Sequence, residues 1–534
     1  MTAAGPGIRR SLTDIQADYD QGNKAELEAL MRAWKGIKEL PPGDPNSFFD
    51  LGGFHGEPFR GPGAYANVWW GGYCQHGTVL FPTWHRIYLW KLEKALQSIP
   101  GCESVTLPFW DECSTASQEN GVPSALTAEK FELDGVLIDN PLRSFVLPVA
   151  IVDQVAQDGS NDPNSPNYSK PAGYETVRYP LSGLVGTPAD TSATKDHNAG
   201  FPNYAANVKT LDANIMAWLT MPVYSGGKTR GLVVDKFRQS MDAPSYTLFS
   251  NTTSMTAWNN ANKDKPVTAL ESAHNYIHLA VGGFDIPTYN ASPISGANGD
   301  MGENDTAALD PIFYFHHCFI DYAFWIWQRR HNATQALTID GNDPGASYAN
   351  NQPPAGANPG DMLSMTTPLM PFLREDGSTM TSNDGVDIEG QLGYTYGPGS
   401  LDDYAAPAVA TLATEAETPL RQIHVAGIDR SKIAGSFVIA AYQEVDGVHR
   451  LVGAEAVLSR WTVAGCANCQ TRLKATGNFP VTAAFAGEGN VKVVLHTRQG
   501  ALGDTPPGVA SAGEIRTLAL ARADVSVPFT VEIR

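Results

Sequence analysis

The sequence predicts a mainly α core followed by a small all-β carboxy-terminal domain, and three observations predict it. Residues 24–40 place Leu27, Leu30, Met31, Trp34 and Ile37 at helical spacing with charges between them. After Phe81-Pro82-Thr83 a second stripe of His85, Tyr88, Leu89, Leu92, Ala95 and Leu96 marks another core-facing helix. Beyond residue 418 the pattern changes. SFVIAAYQEV, HRLVGAEAVL, NVKVVLHT and ADVSVPFTVEI alternate or run apolar with β-branched residues, and Asp446-Gly447 between two such runs is a hairpin signal.

The most informative helices lie between Leu270 and Gln328. His274 and His278 stand at i, i+4, which on a helix places two imidazoles on one face, about 6 Å apart along the axis and within reach of one metal ion. Asp310-Pro311 has the form of an N-cap and a first-turn proline, so a helix starting there carries His316, His317 and Asp321 in its first three turns. Three neutral imidazoles with open positions suit copper, zinc or iron. A further set of histidines precedes these: His55 in GGFHGEPF, and His76 and His85 in QHGTVLFPTWHR. Residues 41–72 are Gly/Pro-rich, which predicts a loop around His55. His85 projects inward on its helix, where a cationic imidazole would be costly and a neutral metal-bound one would not.

Elsewhere the signals are weaker. Residues 114–265 read as long loops on a helical scaffold, with short helices near 210–220 and 228–240, and 340–397 is dense in Asn, Gly and Pro. Net charge is 37 − 56 = −19, which disfavours nucleic acid as a partner, and 42% hydrophobic with 17% charged residues describes an ordinary globular chain of 534 residues. No apolar run reaches membrane-spanning length, and MTAAGPGIRRSLTDIQ lacks the apolar core of a signal peptide, so a cytoplasmic location is expected unless an export signal has been trimmed.

His55, Cys74-x-His76, FPTWHR with His85, H-x-x-x-H and D-P-x-F-x-x-H-H-x-x-x-D together resemble the type 3 copper family of tyrosinases, catechol oxidases and hemocyanins, over roughly residues 8 to 397. The resemblance implies a four-helix bundle holding two copper ions, one on His55, His76 and His85, the other on His274, His278 and His317. It puts His316 behind the ligands with Asp321 as an orienting carboxylate, and a thioether between Cys74 and His76. Gly393-Tyr394-Thr395-Tyr396-Gly397 resembles the motif closing the family's catalytic core. Expected boundaries are a catalytic domain at 1–400, a linker at 401–418 and a β-sandwich at 419–534, the last resembling the lid domain of fungal and some bacterial pro-tyrosinases.

Cys466-Ala467-Asn468-Cys469 in that domain can be redox-active, half a zinc site or a small disulfide, but two thiolates suit Cu(I) best, and the resemblance to the lid domain implies that Cys466 and Cys469 hold Cu(I) transiently. Cys102 and Cys113 could pair, though free thiols are the stronger expectation, and Cys318 receives no role.

The function implied is O2-dependent ortho-hydroxylation of monophenols and oxidation of o-diphenols to o-quinones, with tyrosine, DOPA or catechols as substrates. Glu271, His274, Asn275 and His278 share one helical stripe, so Glu271 and Asn275 can hold a water that accepts the phenol's proton. Leu279 sits where the family tunes substrate access. The alternatives are a catechol oxidase or o-aminophenol oxidase with the same ligands, or an O2 carrier of hemocyanin type. A homo-oligomer is left open.

Overall fold

The computed structural model describes the chain apart from residues 1–4, 57–71, 157–166, 187, 226–227, 284–297, 349–359, 407–419, 446, 461–462, 464–471, 483–490, 499 and 504–528. A helical core precedes two antiparallel sheets, as the pattern predicts. The helices that position the site are α1 (Ala25–Glu39), α2 (Phe48–Gly56), α3 (Phe81–Gln97), α4 (Thr252–Ala261), α5 (Leu270–Gly282) and α6 (Ile312–Arg330). None among the described residues is long and apolar enough to cross a membrane.

The stripe on α1 is core: Leu27, Leu30, Met31, Trp34 and Ile37 are all buried. Trp34 packs on Phe48, Tyr314 and Phe315 with ring centroids 5.4, 5.7 and 5.7 Å away, so α1 fixes α2 and α6 together. Helix α6 is buried on every side from Ile312 to Gln328, as a helix at the centre of a core must be. It begins at Ile312, one residue after the predicted start, with Pro311 rather than Asp310 at the N-cap; Asp310 stands one residue earlier and accepts from the Ile312 N–H at 3.1 Å.

Residues 41–72 depart from the predicted loop, because Phe48–Gly56 is a helix. Its glycines, which suggested a loop, serve close packing. A Cβ on Gly52 would lie 2.7 Å from Leu309 Cδ2, and one on Gly56 would overlap the Asp305 backbone. The helix predicted near 228–240 starts at Leu232, since Lys228–Gly231 pairs as a strand with Pro222–Ser225, and the helix near 210–220 runs from Tyr204 to Thr220.

Gly7–Arg9 (β1) pairs in parallel with Tyr394–Tyr396 (β2), Gly7 opposite Tyr394. This joins the two ends of the helical core over a buried charge network. Asp321 on α6 meets Arg86 on α3 at 2.5 Å and Arg9 at 3.4 Å, and accepts hydrogen bonds from the hydroxyls of Tyr394 and Tyr396 at 2.5 and 2.6 Å. Arg9 also pairs with Glu93 at 2.9 Å. Burial alone would raise the Asp321 carboxyl, but Arg86 and Arg9 hold it below the usual carboxylate range.

The carboxy-terminal strands are β3 (Leu420–Asp429), β4 (Phe437–Val445), β5 (Val448–Val457), β6 (Lys474–Thr482), β7 (Val491–Thr497), β8 (Gly500–Gly503) and β9 (Thr530–Ile533). They form sheets ordered β6-β3-β9 and β5-β4-β7-β8. The predicted hairpin closes with Val445 opposite Val448 and Gly447 at φ 75°; Asp446 lies outside the described residues. Ile423, Val425 and Phe479 of one sheet pack on Ile439, Val493 and Leu495 of the other. Val438, Ala440, Tyr442, Ala454 and Val494, on the opposite face of the four-stranded sheet, join the core of the helices. Strand β4 runs apolar without alternation because both its faces are buried.

Replacing Asp321 by Ala leaves the buried Arg86 guanidinium without its carboxylate and Arg9 with Glu93 alone, and is expected to cost about 3–5 kcal/mol. Urea unfolding measures it, and a loss below about 1 kcal/mol would mean that the network contributes little to the fold.

Candidate metal centre

Seven buried or nearly buried histidines converge in two adjoining groups: His55, His76 and His85, and His274, His278, His316 and His317. Each arrives on an element already described. His55 ends α2, His76 lies in the turn before α3, His85 is in the first turns of α3, His274 and His278 are one turn apart on α5, and the last two stand on α6.

In the first group the rings of His55 and His85 lie 5.2 Å each from that of His76 and 5.7 Å from one another. His55 Nδ1 donates to the Asn304 carbonyl at 3.2 Å and His85 Nδ1 to the Phe81 carbonyl at 2.8 Å. Both Nε2 atoms therefore present lone pairs, and both are buried without a hydrogen-bond partner among the described residues.

In the second group His274 Nδ1 donates to Asn275 Oδ1 at 3.0 Å and His278 Nδ1 to the Met301 carbonyl at 2.8 Å. Their Nε2 atoms stand 3.2 and 3.3 Å from His317 Nε2. An edge of about 3.3 Å is what imidazoles around one ion at about 2.0 Å require. The groups touch: the rings of His85 and His317 stack at 4.4 Å.

Burial lowers the pKa of every imidazole here. His85 falls to about 3 and His278 to about 4, each against a carbonyl that acts in the opposite direction, while His55, His76, His274, His316 and His317 fall well below the ordinary value through burial and then their neighbouring rings. Neutral imidazoles with converging lone pairs fit a soft or borderline metal ion, copper among them.

The other predicted residues fall around this centre. Glu271 is buried, and its carboxylate accepts from the Gly77 N–H at 2.6 Å and from the N–H and hydroxyl of Thr252 at 2.8 and 3.0 Å. It ties α5 to the His76 turn and to α4. Burial raises its pKa, with those donors acting against the shift. Asn275 orients His274, as above. Leu279 is fully buried beside His278.

Cys74 is a buried thiol that accepts from Asn304 Nδ2 at 3.7 Å, and burial pushes it up to about 11. Cys102, Cys113 and Cys318 are free thiols, as expected of the first two. Cys466 and Cys469 lie outside the described residues.

One predicted role changes. Asp321 stands one turn past His317, yet its hydrogen bonds go to two arginines and two tyrosines, which satisfy a buried carboxylate far better than a neutral imidazole could. His316, expected behind the ligands, lies among the second group, and the carboxylate beside it is Glu112, whose Oε1 lies 2.5 Å from His316 Nδ1. Sequence reading missed Glu112, although an acidic pair inside the apolar LPFWDEC was its signal. The orienting carbonyls of Phe81, Met301 and Asn304 leave no such trace.

The carboxy-terminal domain reaches this centre. Arg460 pairs with Asp305 at 2.5 Å and donates to the carbonyl of Gly56, next to His55. Arg472 donates to Thr253 Oγ1 at 2.7 Å and to the Ser347 carbonyl at 3.3 Å, and its Cδ lies against Gly77. Ser272 on α5 donates to Glu455 at 2.9 Å.

Residues 45–330 match the family model described as the common central domain of tyrosinase. The chain is 49% identical over 498 residues to tyrosinase HcTyr2 of Hahella sp. (strain CCB-MM4), covering 89% of this chain and 88% of that one. It is 41% identical to a tyrosinase of Aspergillus oryzae over 89% and 88% of the two chains. A solved structure of tyrosinase from Burkholderia thailandensis superposes with a TM-score of 0.81 at 46% identity, over 99% of this chain and 100% of that one.

In metal-free protein His85 and His278 stay neutral down to about pH 3 and 4, whereas in the unfolded chain they protonate near 6.5. The unfolded state therefore binds more protons in that window. Stability is full above about pH 6.5 and falls as pH drops, by about 1.4 kcal/mol per pH unit for each such histidine. Thermal unfolding of chelator-treated protein between pH 7.5 and 5 should show a Tm declining below pH 6.5; a flat Tm would contradict the neutral, buried imidazoles.

Proposed function

Because this chain belongs to the tyrosinase family, we propose that it ortho-hydroxylates monophenols and oxidises o-diphenols to o-quinones with O2. The observation that carries the reading is the contact between two buried groups of neutral imidazoles. One copper would be held by His55, His76 and His85 and a second by His274, His278 and His317. Bound there, copper would supply the electron exchange with O2 that no side chain can provide. The similarity to tyrosinases disfavours the catechol oxidase and O2-carrier alternatives.

The protein's share of the work is orientation and proton handling. Carbonyls and an amide fix the tautomers of four of these imidazoles, and burial keeps them unprotonated at neutral pH. A phenol has a pKa near 10, so about one molecule in a thousand is ionised at pH 7, and a base that takes its proton raises the rate. Glu271 spends three of its roughly four acceptor positions on Gly77 and Thr252, which leaves about one for a water. Asn275, one turn on, flanks that water in our reading. The thioether between Cys74 and His76 belongs to the same proposal and would hold the His76 ring; the transient Cu(I) site at Cys466 and Cys469 would feed copper inward. Residues 419–534 act as a lid, held over the centre by Arg460, Arg472 and Glu455.

Oxygen uptake by copper-loaded protein with L-tyrosine and with L-DOPA tests the activity, and both substrates should be consumed. Glu271→Gln is expected to slow L-tyrosine turnover about 10²-fold while L-DOPA turnover changes far less; an equal fall in both would reduce Glu271 to a structural clamp. Proteolytic clipping near residue 410 should raise both rates, and unchanged rates would exclude a covering role for the β-domain.

A further inference from the structure

Two of the oriented imidazoles are held locally and two are not. His85 donates to the carbonyl of Phe81, four residues back on its own helix, and His274 to the amide oxygen of Asn275, its neighbour on α5. His55 and His278, one from each group, donate instead to the carbonyls of Asn304 and Met301. Both acceptors lie in one short segment, residues 300–306, which thus serves the two groups at once.

This segment can offer its carbonyls because it is not a regular helix. Asp300–Gly302 makes a single 3-10 turn, and the N–H groups of Glu303, Thr306 and Ala307 use the carbonyls of Asp300 and Glu303. The carbonyls of Met301, Gly302 and Asn304 are left to accept from side chains. All seven residues are buried, so the shape of the segment depends on what pins it. At its start the pins belong to the helical core: Asp300 pairs with Lys170 at 2.8 Å and accepts from the Tyr174 hydroxyl at 2.7 Å and the Val177 N–H at 2.8 Å.

Beyond Met301 the pins come from the β-domain. Ser436, just before β4, donates to the Gly302 carbonyl at 2.9 Å, and Arg460 pairs with Asp305 at 2.5 Å, both charges being buried. Each pin grips the residue that follows an orienting carbonyl: Gly302 after Met301, Asp305 after Asn304. The segment also meets the end of α5 with no room to spare, since a Cβ on Gly282, one turn past His278, would overlap the Gly302 backbone.

We propose that Ser436 and Arg460 are positioning residues, through which the β-domain holds residues 300–306 and thereby one imidazole of each histidine group. The domain that covers the centre then also completes its scaffold. When it moves away, His55 and His278 loosen together while His85 and His274 keep their local partners. Opening the centre therefore weakens its hold on both metals at once; this last consequence rests on the metal-pair reading proposed above, whereas the coupling itself does not.

The imidazole Nδ1–H groups report on this directly. In full-length, metal-free protein labelled with 15N-histidine, their exchange with solvent is followed by NMR, each signal being assigned by substitution of its own histidine. Arg460→Gln and Ser436→Ala should each speed exchange about tenfold at both His55 and His278, with a change of less than about twofold at His85 and His274. Asp190→Asn is the control: it breaks the 3.0 Å ion pair of Arg498 with the helical core and so loosens the domain without touching the segment. It should leave all four signals as they are, and an equal response there would assign the effect to general loosening and overturn the proposal. So would a response of His55 alone in Arg460→Gln, because the bond from Arg460 to the Gly56 carbonyl would account for it.

A second measurement follows copper. Loaded Arg460→Gln and Ser436→Ala chains should lose copper from both positions to a chelator about tenfold sooner than wild type, and loss confined to one position contradicts the coupling. Wild type that takes up no copper would instead end the metal-pair reading and leave the exchange contrast standing. Should Arg460→Gln fail to fold by circular dichroism, Arg460→Lys, which keeps a charge for Asp305 and gives up the planar fork, carries the test together with Ser436→Ala.

Discussion

Seven imidazoles meet in a place that buries nearly all of them, and they can do so only uncharged. A proton on any one would be buried and would repel the others, which is why burial and neighbouring rings drive all their pKa values down. The surrounding structure follows from this constraint. The groups that orient His55, His85, His274 and His278 are neutral: three backbone carbonyls and one amide oxygen. They hold each ring in one tautomer without adding a charge to be balanced. The strong carboxylate on α6, Asp321, is instead neutralised away from the rings by Arg86 and Arg9.

Much of this was legible in the sequence because it depends on spacing. The i, i+4 pair of His274 and His278, the inward stripe of α3 and the apolar α6 all follow from helical period, and each lies where period puts it. The double-sided burial of β4 explains its unbroken apolar run. What could not be read depends on packing between distant segments. The glycines of α2 look like loop residues until Leu309 and Asp305 are brought against them. Asp321 sits on the same helical stripe as His317, but two arginines from far away in the chain compete for it and win. The carbonyls that set the tautomers are backbone atoms, and any residue type could supply them.

The domain interface bears on the same constraint. Arg430, Arg460 and Arg472 come from the carboxy-terminal half and lie near the metal centre or Glu271. Arg460 and Arg430 are among the charges that lower the His76 pKa. The β-domain thus contributes a positive field to a site whose ligands all stand on the helical core. Burial lowers the Arg430 and Arg472 pKa values as well, with Glu271 opposing the shift. Glu271 is therefore a counter-charge that the core offers to Arg430 and Arg472.

The pairing of Gly7 with Tyr394 places Arg9 beside partners from almost four hundred residues further along the chain. A ribosome adding roughly 5–20 residues per second takes on the order of 20 to 80 s to cover that distance. Through that interval the amino-terminal strand has no sheet to join, and of the side chains that Arg9 finally meets, Glu93 on α3 is made first, Asp321 on α6 next and Tyr396 last. The two ends of the helical core can therefore join only after all seven histidines have been made, tens of seconds after Arg9 itself.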